Sequence, residues 1–170
     1  MNKEKIAFIP RQYLAVIAVL LAIMMSVLDG TIMNIALPTL AHDFDVTPST
    51  AIWIVNAYQL VITMTLLSFA SLGDIYGYRR IFLIGISIFV GASLACTLST
   101  SFWMLTAARV IQGFGAACVM SVNTALIRLI YPPQILGRGM GVNAMVVAVS
   151  AAAGPSIAGS ILALGSWHWL

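Results

Sequence analysis

Two ionisable residues stand inside long apolar runs: Asp29, within AIMMSVLDGTIMNIAL, and Arg109, within FWMLTAARVIQGFG. A charge in hydrocarbon is costly, and such residues usually face a cavity or one another. At about 1.5 Å rise per residue, Asp29 lies roughly 12 Å inside the end of its run at Leu37. Arg109 lies roughly 10 Å inside the start of its run at Phe102. The similar depths make a pair geometrically sound. Such a pair could tie two helices together, or a desolvated carboxylate held against a fixed positive charge could bind and release protons. The chain supplies no other membrane-embedded acid, so the proton role falls to Asp29 alone.

Two more stretches carry chemistry. GDIYGYRR at 73–80 places Asp74 at one helix end, Gly77 at a tight turn, and Arg79 with Arg80 at the start of the next helix. Arginines at a helix N-terminus oppose the macrodipole, so they do not cap it. Retention on the basic side of a membrane explains them; it does not explain the acid. In VSAAAGPSIAGS at 149–160, Ser150, Gly154 and Ala158 recur every fourth residue. Such a small-residue face lets two helices approach closely, and Pro155 can kink the helix because it lacks a backbone donor.

The elements that must position these residues are membrane helices. The sequence is 61% hydrophobic and 8% charged, with mean hydropathy +1.03. Soluble domains carry about 25% charged residues, so this chain cannot dress a water-facing surface. A span needs about 20 largely apolar residues, and the sequence predicts five, at 13–37, 51–72, 81–98, 102–130 and 139–164. Thr47 and Pro48 suit the first turn of the second, and Pro132 with Pro133 must end the fourth.

Seven of the eight basic residues (Lys3, Lys5, Arg11, Arg79, Arg80, Arg128 and Arg138) flank the spans on one side. The other side holds only His42, Asp43 and Asp45. This positive-inside bias puts the N-terminus in the cytoplasm and, with five spans, the C-terminal end outside. It also accounts for the net charge of +3 without a nucleic-acid partner. The first run is too long for a cleaved signal's apolar core of about 7–15 residues. Cys96 and Cys118 lie in apolar runs and read as packing residues.

Four motifs, in order and in the expected spans, resemble the major facilitator superfamily, specifically its fourteen-span drug/proton antiporter branch. LDGTIMNIALP at 28–38 is similar to that branch's LDxTxxNxALP, with Asp29, Thr31, Asn34 and Pro38 in place. ASLGDIYGYRR at 70–80 resembles the loop motif GxLaDrxGrk through Asp74, Gly77 and Arg79. RVIQGFGAA at 109–117 resembles RxxQGxGaA through Arg109, Gln112, Gly113 and Gly115. GPSIAG at 154–159 resembles the antiporter motif GPxxGG through Gly154, Pro155 and Gly159. WIVNAYQL at 53–60 and SWHW at 166–169 also look like this branch. Ala70, Ile75, Tyr78, Ala158 and His168 depart from the family's pattern.

The resemblance implies an all-α, multi-pass protein of the cell membrane, in bacteria the inner membrane. It also implies alternating access between two six-helix bundles, with Asp29 and Arg109 coupling protons to export of a hydrophobic or cationic drug. Asp74 and the arginines after it would latch the inner face against the second bundle, and Thr31, Asn34 and Asn123 would offer polar groups to the cavity. Only five spans of that pattern are present, so transport would need the second bundle or self-association. The alternatives are a membrane fragment or helix-pairing scaffold that does not transport, and a related transporter that takes up a metabolite. No nucleophile–base pair or metal-ligand cluster stands out, so the expectation includes no enzymatic activity, cofactor or metal.

Overall fold

The computed structural model describes residues 4–165, with side chains from Gln12 onward. Lys3, the SWHW stretch with His168, and the side chains of Lys5 and Arg11 lie outside the described residues. Five long helices follow one another: α1 (Glu4–Asp43), α2 (Pro48–Tyr76), α3 (Tyr78–Thr97), α4 (Phe102–Ile130) and α5 (Leu136–Leu164). Each is long and apolar enough to cross a membrane. Helices are the form that lets a lone segment satisfy its own backbone in hydrocarbon.

The predicted five spans and the all-α class hold, while several ends shift. Span one does not stop at Leu37; α1 runs through Pro38 to Asp43. Its last turns are held by packing, since Leu40 is buried with Ile54, Val55 and Phe102, and Ala41 is buried as well. The turn expected over 73–80 shrinks to Gly77, which takes φ 93 between two helices. A side chain is disfavoured at that φ, so glycine makes the one-residue reversal feasible. Thr47 caps α2 by accepting from the Thr50 N–H, with Pro48 in the first turn. Pro132 and Pro133 end α4, and a single 3-10 turn, Pro133–Ile135, leads into α5 three residues earlier than predicted. α5 continues through Pro155, whose ring is on the exposed side.

α4 is the central helix, with buried residues from Phe102 to Ile127. Glycines set its close approaches. A Cβ added at Gly115 would come within 2.6 Å of the Phe89 backbone nitrogen on α3, and one at Gly113 within 3.0 Å of the Tyr58 carbonyl on α2. The α1–α5 contact works the same way: Ser150, Gly154 and Ala158 are buried, and a Cβ at Gly154 would lie 2.8 Å from Thr31 Cβ. In lipid, where apolar burial drives little association, such close van der Waals packing is what holds helices together. Gly159, named beside Gly154 by the motif resemblance and not by this period, has open space beside it.

Candidate functional site

Most of the described long-range polar contacts among these helices converge on Asp29 and its partners. Arg109 reaches Asp29 from α4, and its Nη1 donates to both carboxylate oxygens, at 2.8 and 2.9 Å. The same nitrogen donates to Gln112 Oε1. Gln112 is one helical turn further along α4, so both side chains leave the helix on one face. Its Nε2 donates to Asp29 Oδ1 at 3.0 Å and to Ser93 Oγ on α3 at 2.8 Å. The Cys96 thiol approaches Gln112 Oε1 at 3.8 Å. On the remaining side, the Arg109 guanidinium carbon stands 4.4 Å from the centre of the Tyr58 ring on α2.

Burial separates the two partners. The Arg109 side chain is 1% exposed and that of Asp29 16%. Arg109 is the largest fully buried side chain among the described residues. Its Nε and Nη2 have no hydrogen-bond partner there, so one of its three nitrogens carries the ion pair. Arginine keeps its proton in proteins, whereas a carboxylate can gain one and turn from acceptor into donor. The cluster can therefore change charge at the Asp29 carboxylate while its cation stays fixed.

The other predicted residues distribute around this centre. Thr31 touches it indirectly, bonding back to the Val27 and Leu28 carbonyls and packing on Gly154. Asn34 is exposed and donates to the Gly30 carbonyl. Asn123 is not beside Asp29; it is buried nearer the inner end of α4 and donates to Asn143 Oδ1 on α5 at 3.0 Å. Gly113 and Gly115 serve the helix crossings described above. Pro155 is exposed, and of Gly154, Pro155 and Gly159 only Gly154 is buried, against Thr31 of α1.

The inner loop is a separate locality. Asp74, which is exposed, accepts a hydrogen bond from the hydroxyl of Tyr78, whose ring is half-buried against the core. Arg79 and Arg80 are exposed. Tyr58 and Asp74 stand roughly 24 Å apart along α2, at ~1.5 Å per residue. The structure thus brings Asp29, Arg109 and Gln112 together and leaves Asp74, Gly77, Arg79 and Arg80 at the other end.

Two participants were not singled out from the sequence, Tyr58 and Ser93, and Cys96, read there as a packing residue, also borders the cluster. Tyr58 left a signal, since Ile54, Tyr58 and Ile62 repeat every fourth residue and all three are buried. A tyrosine on such a stripe brings a polar handle into the core. Ser93 left none. Serines and threonines here commonly donate to a carbonyl three or four residues back, as Ser26, Thr65 and Ser150 do.

Comparisons with known proteins agree with this architecture. The sequence pattern of the Major Facilitator Superfamily matches residues 19–170. An uncharacterized transporter, YebQ, of Escherichia coli (strain K12) is 59% identical over 95% of this chain and 35% of that protein. The riboflavin transporter RibZ of Clostridioides difficile (strain 630) is 35% identical over 92% of the chain and 34% of its own length. The drug efflux pump JefA of Mycobacterium tuberculosis (strain ATCC 25618 / H37Rv) is 37% identical over 94% of the chain and 32% of its own length. The chain spans about a third of the length of these curated relatives.

Proposed function

The chain belongs to the Major Facilitator Superfamily, and on that premise we propose that its five helices serve proton-coupled export of hydrophobic or cationic small molecules, in the drug/proton antiporter branch of the family. The observation that carries this reading is the Asp29–Arg109 pair, a half-buried acid held against a fully buried permanent cation on two helices long enough to span a membrane. In the charged state Asp29 is held by Arg109 and Gln112. A proton arriving from outside neutralises the carboxylate, weakens its hold on α4 and lets α1 shift relative to it. Loss of that proton to the cytoplasm restores the pair and completes one exchange. A cationic compound would compete for the same carboxylate, which is how proton entry and drug exit become alternatives.

Asp74, with Arg79 and Arg80, would act as a latch on the cytoplasmic face. It would grip only when a second bundle, or a second copy of these helices, lies against it. The likeness to a drug efflux pump and to a multidrug resistance protein, Stp, of Mycobacterium tuberculosis supports this substrate class. The likeness to a riboflavin transporter favours a second reading, in which the same proton chemistry moves a metabolite.

The test is efflux of a fluorescent cationic dye from cells expressing the chain, with Asp29→Asn beside it. Export that a protonophore abolishes, and that falls at least about tenfold in Asp29→Asn at equal membrane insertion, is expected for an essential proton carrier. Export undiminished in Asp29→Asn would sink the reading. Riboflavin movement without dye export would favour the metabolite alternative.

A further inference from the structure

If Asp29 is the group that exchanges protons, every cycle leaves Arg109 without its anion. This inference rests on that reading. The guanidinium stays charged and is 1% exposed, and the chain's other acids lie away from it: Glu4, Asp43 and Asp74 at helix ends and Asp45 in the turn between α1 and α2. Either the arginine leaves the site for water, or neutral groups already in place hold it.

The geometry points to Tyr58: we propose that its ring face is the positioning contact that keeps Arg109 in the bundle when Asp29 is neutral, so that the carboxyl and not the arginine moves. The guanidinium carbon is 4.4 Å from the ring centre, within reach of a cation–π attraction, which strengthens when water is excluded. Tyr58 is itself 2% exposed and packed with Ile62, Phe89, Ala116 and Ala117, so the ring is fixed from three helices. Gln112, also 1% exposed and tethered to Ser93, supplies a second neutral contact.

Asp29 is held less firmly. It is 16% exposed and is followed by Gly30, beside which there is open space. The charged or titratable groups facing this cluster are Arg109 from α4, Tyr58 from α2 and Cys96 from α3. α5 meets α1 here through small uncharged residues, with Gly154 packed on Thr31. No other described group there can replace the lost negative charge.

The experiment uses the full chain in lipid nanodiscs with Asp29→Asn standing for the neutral state. Arg109 side-chain N–H resonances, assigned through Arg109→Lys, should carry a ring-current displacement in the parent and keep it in Asp29→Asn. Tyr58→Phe should preserve the displacement in both backgrounds, and Tyr58→Leu should abolish it. In denaturant unfolding, Tyr58→Leu should lower the folded-to-unfolded ratio about tenfold more in Asp29→Asn than in the parent, as a desolvated cation–π contact implies. Tyr58→Phe should restore parent behaviour.

If Tyr58→Leu does not insert, fluorinated phenylalanines at position 58 keep the ring's shape while draining its π face. Stability in the Asp29→Asn background should then fall with each added fluorine. An Arg109 signal that moves to the free-arginine position in Asp29→Asn, an equal cost of Tyr58→Leu in both backgrounds, or a flat fluorine series would each overturn the proposal. None of these readouts needs transport. Dye export indifferent to Asp29 would therefore count against the proposed function and leave the Tyr58 result to be read independently.

Discussion

The chain places the same chemical types, an acid with basic and hydroxyl-bearing neighbours, in two settings. Between α1 and α4, Asp29, Arg109, Gln112 and Tyr58 close on one another with little or no water contact. At the α2–α3 turn, Asp74 has the Tyr78 hydroxyl, while Arg79 and Arg80 point into solvent. Surface ion contacts contribute little because water and salt screen them. A buried pair is different: its two charges depend on each other, and removing one leaves the other stranded. The ion pair of the first region therefore forms within these five helices, although two nitrogens of Arg109 have no partner among the described residues. The second region has no such buried pair, and the proposed latch would give it a partner only when something covers it.

The sharpest way to break this contrast is Arg109→Ala. It removes the cation and leaves the Asp29 carboxylate and Gln112 without their shared donor. The expected loss is about 3–5 kcal/mol of stability, the range for breaking one side of a buried pair. Denaturant unfolding of the purified chain in detergent micelles measures it. A loss below about 1 kcal/mol, the usual value of exposed pairs, would mean that the two regions are energetically alike.

A smaller break leaves every charge in place and moves a helix. Gly154→Leu would push α5 off Thr31, two residues from Asp29. Overpacking of this kind costs about 1–3 kcal/mol. Cysteine cross-linking between α1 and α5 would report the altered spacing. The Arg109 resonances described above should shift as well, because the displaced α1 carries the carboxylate. Gly159→Leu should do neither, since nothing lies beside that glycine.

This pair of glycines also marks how far the sequence could be read. The small-residue period over Ser150, Gly154 and Ala158 identified the face of α5 that is buried, because periodicity survives in any helix. The motif resemblance gave Gly159 equal standing with Gly154, yet Gly159 falls off that face. Asp29 and Arg109 were legible because intramembrane charges are rare, and their depths pointed to a pair. Tyr58 and Ser93 were less so. Their roles depend on which faces of α2 and α3 meet α4, and Gly85, Gly113 and Gly115 set that only once the helices are packed. The end of α1 was read short: the expected span stopped at Leu37, while packing of Leu40 against Ile54, Val55 and Phe102 carries the helix on to Asp43.

The smallest expected effect lies at the inner turn and tests the comparison from its other side. Asp74→Asn removes an exposed carboxylate whose one described contact is the Tyr78 hydroxyl, and an amide oxygen can still accept that bond. Unfolding of the chain should be unchanged within error, and adding salt should make no difference. In a full-length relative carrying the matching change, the proposed latch predicts a clear loss of transport, because there the proposed second bundle would cover the turn. An Asp74→Asn chain destabilised as much as Arg109→Ala would contradict this division. It would mean that the turn is held by a buried interaction within the first five helices, and that Asp74 braces the fold instead of waiting for a partner.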